Sequence, residues 1–257
     1  MMNLDIGDIL NDWPYRPGEI NVRRIIGKDG REKLQMRLDM GLLQMETTGR
    51  PDGRTPHGRK SMLDYYRELA DNYARHHGSY IDFQLNEKDC EALRSEAVLY
   101  YHRYLAEFVL ADFPAVIRDA KHNLSIIHFC NEYAEDERDR MTLRQHVPYI
   151  LMMNVRARAR RAVQASRPQR AAAVVEKGIM LIEEFFRSTD QEEIIELSAE
   201  LKILKDLLNE IRASTPAPPE IRLTEKLKIA LEEERYEDAA ALRDKLRSLK
   251  QSKHQQE

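Results

Sequence analysis

Residues 222–250 read RLTEKLKIALEEERYEDAAALRDKLRSLK, and the spacing of their apolar residues predicts two short helices joined by a turn at residues 234–237. The apolar positions of the first helix share one face: Leu223, Leu227, Ala230 and Leu231. Those of the second helix recur at intervals of three and four residues: Ala239, Leu242, Leu246 and Leu249. Such stripes are typical of helices that bury one side, so this stretch predicts an antiparallel helical hairpin.

The remaining residues of this stretch predict how the two helices meet. Tyr236 would lie at the corner, where its ring can plug the junction. Small side chains at residues 239–241 would let the helices approach closely. Acidic residues 232–234 end the first helix, and basic residues line the second: Arg243, Lys245 and Arg247. We expect an antiparallel hairpin to bring these opposite charges near each other.

The segment LEEERYEDAAALRDKL, residues 231–246, resembles the UVR motif, a helical hairpin named after the bacterial excision-repair proteins UvrB and UvrC. The acidic run, the aromatic residue, the alanine pair and the Leu-Arg-Asp triplet follow in the family's order. The resemblance implies an interaction module without catalytic activity, which pairs with another copy of itself or docks on a partner protein. It implies these partner-binding residues: Leu227, Leu231, Tyr236, Ala239, Leu242, Leu246 and Leu249.

Bulk composition fits a helix-rich protein without strong electrostatic attraction to nucleic acid. The 257 residues permit one large domain or two unequal ones, and the net charge is −3. Cys90 and Cys130 form no CxxC pair, which predicts a reducing compartment. The histidines show no metal-ligand spacing, and the many carboxylates read as solvated helix faces. We expect no metal, no cofactor, no membrane segment and a cytoplasmic location.

The N-terminal region predicts a β-hairpin. β-Branched residues between Ile20 and Ile26 precede a Gly-Lys-Asp-Gly turn, and apolar and polar residues then alternate from Leu34 to Met40. Residues 41–46 would extend the second strand past a bulge at Gly41. We expect residues 1–19 to be irregular, and the hairpin to pack on the helices, since a lone hairpin is only marginally stable.

The stretch from Gly49 to Gly58 is the most loop-like part of the chain, with three glycines and two prolines in ten residues. Four of its residues are candidates for a binding or catalytic site: Arg50, Asp52, Arg54 and His57. Residues 53–61 partly resemble a phosphate loop, but Arg59 separates the glycine from the lysine. The alternatives are a rigid connector and a binding loop.

Residues 61–213 predict a helical domain. Helix starts are indicated at Ser61, Asn86, Asp112, Ser166 and Thr189, with an interruption near Pro148 and a last helix from residue 192 to 212. A proline-rich linker at 214–220 separates this domain from the helical hairpin at 221–250, and a polar tail follows at 251–257.

Two helix junctions echo each other, at residues 111–114 and 165–168. This echo favours stacked helix pairs that weakly resemble tetratricopeptide repeats, although the spacing is not 34 residues. An irregular helical bundle is the alternative. The fold class that we predict is mainly α, with an N-terminal β-hairpin (residues 1–60) packed on the helical domain and a C-terminal UVR helical hairpin.

These patterns predict a non-enzymatic adaptor that binds a protein partner. The candidate partners are another UVR hairpin and a second copy of the protein. One alternative is a nucleic-acid-associated or DNA-repair protein that uses the arginines of residues 156–170. Against it, residues 176–210 are acid-rich, and the two stretches can neutralise each other. A further alternative is an enzyme with its site at residues 49–58.

Overall fold

The computed structural model describes residues 5–214, 219–233 and 235–254, which form a mainly α-helical protein with one small antiparallel sheet. The strands are β1 (Asn21–Ile26), β2 (Glu32–Leu38) and β3 (Gly41–Glu46). The helices are α1 (Gly7–Asn11), α2 (Met62–His77), α3 (Glu87–Val109), α4 (Phe113–Tyr133), α5 (Glu137–Arg144), α6 (Val147–Gln164), α7 (Pro168–Ser188), α8 (Ala199–Ser214), α9 (Pro219–Glu232) and α10 (Tyr236–His254). Across these residues, no helix combines the length and the apolarity needed to cross a bilayer.

The predicted hairpin is present, and a third strand completes it as a sheet of order β1-β2-β3. Val22 faces Met36 in the first pair of strands, and Met36 faces Leu43 in the second. The expected bulge at Gly41 is therefore wrong. Asp39 and Met40 make a tight turn that reverses the chain, so residues 41–46 pair alongside β2 instead of continuing it. The first 19 residues are also not wholly irregular, since they include α1.

Three predicted helix starts are confirmed by capping hydrogen bonds. The Ser61 hydroxyl accepts from the Asp64 amide in the first turn of α2, at 3.0 Å. Asn86 and Asp89 form a reciprocal capping box on α3. The Asp112 carboxylate accepts an amide hydrogen bond from the first turn of α4. The predicted break near Pro148 separates α5 from α6. These caps satisfy amides that have no partner within their own helix.

Two predicted caps are wrong. Ser166 has a φ of 56° and ends α6 in the left-handed conformation, so its side chain does not cap α7. The Thr189 hydroxyl donates backwards to the Phe185 carbonyl at 2.9 Å, and only a three-residue 3-10 turn follows at Glu192–Ile194. The cap is instead Ser198, whose hydroxyl accepts from the Leu201 amide at 3.2 Å, so α8 starts later than predicted.

The two helix junctions at residues 111–114 and 165–168 share one backbone geometry. Ala111 and Ser166 have φ of 57° and 56°, and the amide after each donates to a carbonyl five residues earlier, at 2.9 Å in both turns. Helices pack on their neighbours in the order α3, α4, α6 and α7. A Cβ at Gly178 of α7 would lie 2.5 Å from Val155 Cγ2 of α6, so only glycine permits this approach. This packing order is common to tetratricopeptide-like pairs and to an irregular bundle.

The main apolar core lies among helices α2 to α6. It contains Leu63, Leu93, Ile126, Leu143 and Ile150, one from each of these helices, all 6% exposed or less. The sheet contributes a second cluster, in which Leu34, Met36 and Met45 pack with Ala106 of α3. The expectation that the hairpin packs on the helices is therefore confirmed.

Arg103 of α3 joins the sheet to the helices. Its guanidinium is fully buried and donates to both carboxylate oxygens of Asp119 in α4, at 2.5 and 2.9 Å. Its remaining terminal nitrogen donates to the Glu46 carbonyl at 3.0 Å and to the Gly49 carbonyl at 2.8 Å. The fork of a guanidinium suits such two-sided binding. One side chain thus fixes the end of β3 against α3 and α4.

Glu96, two helical turns before Arg103, fixes the start of α2. Its buried carboxylate accepts from the Met62 amide at 2.6 Å and from the Leu63 amide at 3.2 Å. Burial opposes ionisation of Glu96, but the hydrogen bonds from His122 and from these two amides outweigh it, so its pKa is lowered. The expectation that the carboxylates line solvated faces is wrong for this residue.

Glu107 lies in the same buried charge cluster. One carboxylate oxygen accepts from Arg118 at 2.8 Å, and the other has no hydrogen-bond partner among the described residues. Burial, reinforced by the negative charge of Asp119, raises the pKa of Glu107 to about 8. Folding therefore favours the protonated form of this side chain.

The described chain divides into two compact units, residues 1–208 and 209–257. Within the predicted linker at 214–220, Ser214 ends α8 and Pro219 begins α9, while residues 215–218 lie outside the described part of the chain. The predicted tail at 251–257 lies in α10 as far as His254, and its last three residues lie outside the described part. The predicted domain boundaries stay a prediction.

We expect Glu107→Gln to gain stability relative to the wild type as pH rises from 5 to 8. An unfolded Glu107 ionises above its ordinary pKa, while the folded chain keeps it protonated, so ionisation favours unfolding throughout this window. The difference in unfolding free energy should grow by up to about 1.4 kcal/mol per pH unit. Urea titrations at several pH values measure it. Glu91→Gln, on the exposed side of α3, is the control and should follow the wild type; a pH-independent difference for Glu107→Gln would contradict the prediction.

Candidate functional site

Helices α9 and α10 pack against each other as the predicted hairpin. Two backbone hydrogen bonds close its turn: the Glu233 amide donates to the Ile229 carbonyl at 2.9 Å, and the Arg235 amide to the Ala230 carbonyl at 2.8 Å. The turn thus comes earlier than the predicted residues 234–237, since Tyr236 already begins α10. Glu234 lies outside the described residues.

The seam between α9 and α10 is only partly enclosed. Ala230 and Ala239 are buried near the turn, at 1% and 5% exposure. Further from the turn, the seam contains four half-buried leucines: Leu223, Leu227, Leu242 and Leu246. Two helices cover such a stripe from one side only, so apolar surface stays open along the hairpin.

A groove of about 500 Å³ follows the hairpin on one side. Its walls include Ile229 and Leu242, and charged side chains border it: Lys226, Arg235, Asp238 and Lys245. Ile229 is 47% exposed. This apolar side chain lies outside the predicted stripe and is available to a partner. An apolar floor with charged borders is the usual form of a surface that receives a helix.

Three details of the predicted hairpin are wrong. Tyr236 does not plug the corner, because it is 66% exposed and the turn is closed by backbone hydrogen bonds. Ala240 and Ala241 are exposed, so only Ala239 permits the close approach of the helices. Leu231 is 51% exposed and lies at the edge of the seam. The side chain of Leu249 lies outside the described residues. That these residues bind a partner stays a prediction.

Two described members of the acidic run, Glu232 and Glu233, have partners close to the turn. Arg235 donates to Glu233 and to Asp238, both at 2.8 Å, and Lys228 lies 3.8 Å from Glu232. Glu234 lies outside the described residues, so the expectation that the acidic run meets Arg243, Lys245 and Arg247 across the hairpin stays a prediction. Sequence reasoning also missed Arg235, which holds the turn from both sides.

Arg50 anchors the loop at residues 49–58 to α3, and Asp52 contacts Arg50 within the loop. Arg50 Nε lies 3.1 Å from a carboxylate oxygen of Glu96, as an ion pair without an aligned hydrogen bond. Arg50 Nη1 lies 3.3 Å from Asp52, which accepts from the Arg54 amide at 3.0 Å. The side chain of Arg50 is 12% exposed. These contacts support the interpretation of the loop as a connector.

The other two candidate loop residues lie apart from this anchor. The Arg54 side chain is 82% exposed and 4.0 Å from Asp52. The His57 ring stacks on Tyr65 of α2, with ring centroids 4.0 Å apart, and its φ of 49° makes the chain turn there. The structure therefore brings Arg50 and Asp52 together but does not gather all four side chains around one point.

The arginines predicted as a basic surface are divided between different environments. Arg156 lies over the Phe108 ring at 4.5 Å. Arg158 and Arg161 are exposed on α6. A guanidinium stacked on an aromatic ring stabilises the fold. Because Arg156 is stacked in this way, the arginines of residues 156–170 do not present one continuous basic stripe.

Sequence reasoning missed the buried charges of α3 and α4: Glu96, Arg103, Glu107 and Asp119. A signal was present. On α3, Glu96 and Arg103 are spaced seven residues apart on the same face as Leu93, Tyr100 and other buried apolar residues. Charged residues within an apolar stripe indicate a buried ion network.

We expect Ala239→Leu to open the hairpin locally. A larger side chain at this buried position forces α9 and α10 apart, at a cost of about 1–3 kcal/mol. Backbone amides of residues 219–254 should then exchange hydrogen about 5- to 100-fold faster, as measured by mass spectrometry on the whole protein. Ala240→Leu, on the exposed side of α10, is the matched control and should exchange like the wild type. Equal exchange in both variants would show that the helices do not meet at Ala239.

Comparison with known families agrees with the hairpin geometry. Residues 221–252 match the model of the UvrB/uvrC motif, a range that covers most of α9 and α10. No curated protein and no solved structure matched the chain. UvrB/uvrC motifs occur in protein-interaction and DNA-repair contexts. The chain is therefore a UVR motif-containing protein, with the motif in its C-terminal helical hairpin.

Proposed function

We propose that this protein is a non-enzymatic adaptor whose UVR hairpin docks on a second helical hairpin. The observation that carries the proposal is the half-buried leucine seam between α9 and α10. A second pair of helices laid on this seam would complete a four-helix arrangement and remove the remaining apolar surface from water. The exposed side chains of Ile229 and Leu231 would add to the same contact.

We propose a second copy of this chain as the docked hairpin, on the basis of its charge distribution. Acidic residues cluster at the turn, including Glu232, Glu233 and Glu237, and basic residues lie toward the other end, including Arg243 and Arg247. A two-fold symmetric pair in antiparallel orientation would place each acidic turn beside the basic end of the other copy. Such complementarity selects orientation and disfavours the parallel arrangement.

The helical unit would then supply a separate surface that the paired hairpins bring together in two copies. The nucleic-acid alternative has less support, because Arg156, within residues 156–170, is engaged with the Phe108 ring. The enzyme alternative at residues 49–58 has less support, because Arg50 is paired with Glu96 of α3 and with Asp52. We also propose a cytoplasmic location, which rests on the two free cysteines, Cys90 and Cys130.

A charge-reversal pair tests both the docking and its orientation. Glu237→Lys changes an exposed side chain in the first turn of α10, and Arg247→Glu changes one in the second half of this helix. Each single variant should weaken self-association of the whole protein at least fivefold, because it places like charges together in the symmetric pair. The double variant should return to within about twofold of the wild type. Sedimentation equilibrium measures the dissociation constants.

Glu91→Lys reverses an exposed charge on α3 and is the control, with no expected effect on association. Hydrogen exchange over residues 219–254 verifies that each variant keeps its hairpin. If the wild-type protein stays monomeric up to about 100 μM, its self-association is too weak for a specific pair. That result would overturn the proposal that a second copy is the partner. Single variants that both weaken association, with no recovery in the double variant, would overturn the antiparallel orientation.

A further inference from the structure

The two cysteines of the chain meet in the main apolar core. Cys90 lies near the start of α3, and Cys130 lies in the last turn of α4. Both are free thiols, both belong to the same buried cluster, and neither is exposed. Since α3 and α4 pack directly on each other, residues far apart in the sequence are neighbours here.

A short backbone bridge holds the two cysteine-bearing helix ends together. Leu85 and Ala134 form an isolated parallel bridge, in which the Glu135 amide donates to the Leu85 carbonyl at 3.0 Å. The Cys90 Sγ lies 4.0 Å from this same carbonyl oxygen. On the other side of the bridge, the Ala134 amide donates to the Cys130 carbonyl at 2.9 Å. The bridge therefore fixes the segment before α3 against the end of α4, with one cysteine on each side.

The two thiols interact directly and are not equivalent. The Cys130 thiol donates a hydrogen bond to the Cys90 sulfur, which lowers the pKa of Cys90 although burial opposes its ionisation. The same contact, together with burial, raises the pKa of Cys130. One sulfur of the pair thus ionises more readily, and the other stays protonated beside it. This division suits a reactive thiol and a resolving thiol.

A cavity of about 650 Å³ brings solvent close to this pair. Its lining includes Arg94, one helical turn after Cys90, and Ile127, one turn before Cys130. Leu143 of α5 lines the cavity and also belongs to the buried cluster of the cysteines. A small neutral oxidant in the cavity needs only a local opening of the core to reach the thiols. Because neither thiol is exposed, we expect their oxidation to be slow and to proceed from locally opened molecules.

We propose that Cys90 and Cys130 form a redox modification site, which a peroxide converts into a reversible disulfide between α3 and α4. The Cys90 thiolate attacks a peroxide oxygen, so that an S–O bond forms, the O–O bond breaks and the departing hydroxide takes up a proton as water. The Cys130 sulfur then attacks the sulfenic sulfur of Cys90. The S–S bond forms, the S–O bond breaks, and the leaving hydroxide takes the Cys130 proton as a second water.

One hydrogen peroxide molecule thus oxidises two thiols and yields two water molecules, and a dithiol reductant reverses the change. In a reducing compartment the pair rests as thiols, and transient disulfides there are typical of redox sensing. The site belongs to the larger unit and goes beyond the adaptor function of the hairpin.

Peroxide treatment of the reduced whole protein tests the proposal. After alkylation in denaturant and peptide mapping, the oxidised wild type should be a single chain with both thiols lost and a linked pair of peptides that carry Cys90 and Cys130. Dithiothreitol should restore both thiols. Because the disulfide closes the loop from residue 90 to residue 130, the oxidised protein should melt about 5–15 °C above the same sample after dithiothreitol.

Met40 is 91% exposed and serves as an internal standard for peroxide exposure. Thiols that both survive after Met40 is fully oxidised would overturn the proposal. Disulfides only between chains, or sulfinic acid at Cys90 without a link to Cys130, would overturn it as well.

Two serine variants test the role of each sulfur. Cys130→Ser keeps a hydroxyl that can donate to Cys90 but cannot close the disulfide, so it should accumulate a Cys90 sulfenic acid that dimedone traps. Cys90→Ser should lose its remaining thiol at least fivefold more slowly than Cys130→Ser. Equal rates would contradict the assignment of Cys90 as the attacking thiol. Circular dichroism verifies the fold of each variant, and if either fails to fold, the wild-type peptide map and melting shift decide the proposal.

Discussion

The guanidinium of Arg103 is the group on which the arrangement of the larger unit depends. It binds Asp119 of α4 with two hydrogen bonds and takes two carbonyls at the end of β3, so the sheet, α3 and α4 meet at one side chain. Glu96 does the same for the start of α2 and for Arg50 of the loop. Buried charges are costly unless every one is paired, and this network therefore admits few alternative placements of the loop at residues 49–58.

Local signals in the sequence were sufficient for much of the fold. Caps at Ser61, Asn86 and Asp112, the Gly-Lys-Asp-Gly turn and the UVR stripe each depend on neighbouring residues, and their helices or strands are present as predicted. The hairpin followed from periodicity because two helices joined by a short turn have few ways to pack. Its leucine seam, open on one side, links this geometry to the proposed docking.

What sequence could not supply depends on contacts between residues far apart in the chain. Arg103 and Glu46 are distant in sequence, so nothing local marks the loop as anchored. Ser198 displaced Thr189 as a cap because the chain between them forms a 3-10 turn, and no short motif distinguishes the two. Tyr236 is exposed because Arg235 and the backbone already close the turn. The cluster of Tyr101, Tyr104 and Tyr149 forms only when α3 and α6 come together, so no short sequence motif predicts it.

A double-mutant cycle on Arg103 and Asp119 is the most direct measurement of the central claim. Urea unfolding would compare the wild type, Arg103→Leu, Asp119→Leu and the double variant. Each single substitution removes one side of this buried pair and should cost about 3–5 kcal/mol, although Arg118 still donates to Asp119 at 2.7 Å in Arg103→Leu. The double variant should lose at least about 2 kcal/mol less than the sum of the two single losses, because both charges are gone. Additive losses, within about 0.5 kcal/mol, would show that the two side chains act separately and would contradict the claim that this pair fixes α3 against α4.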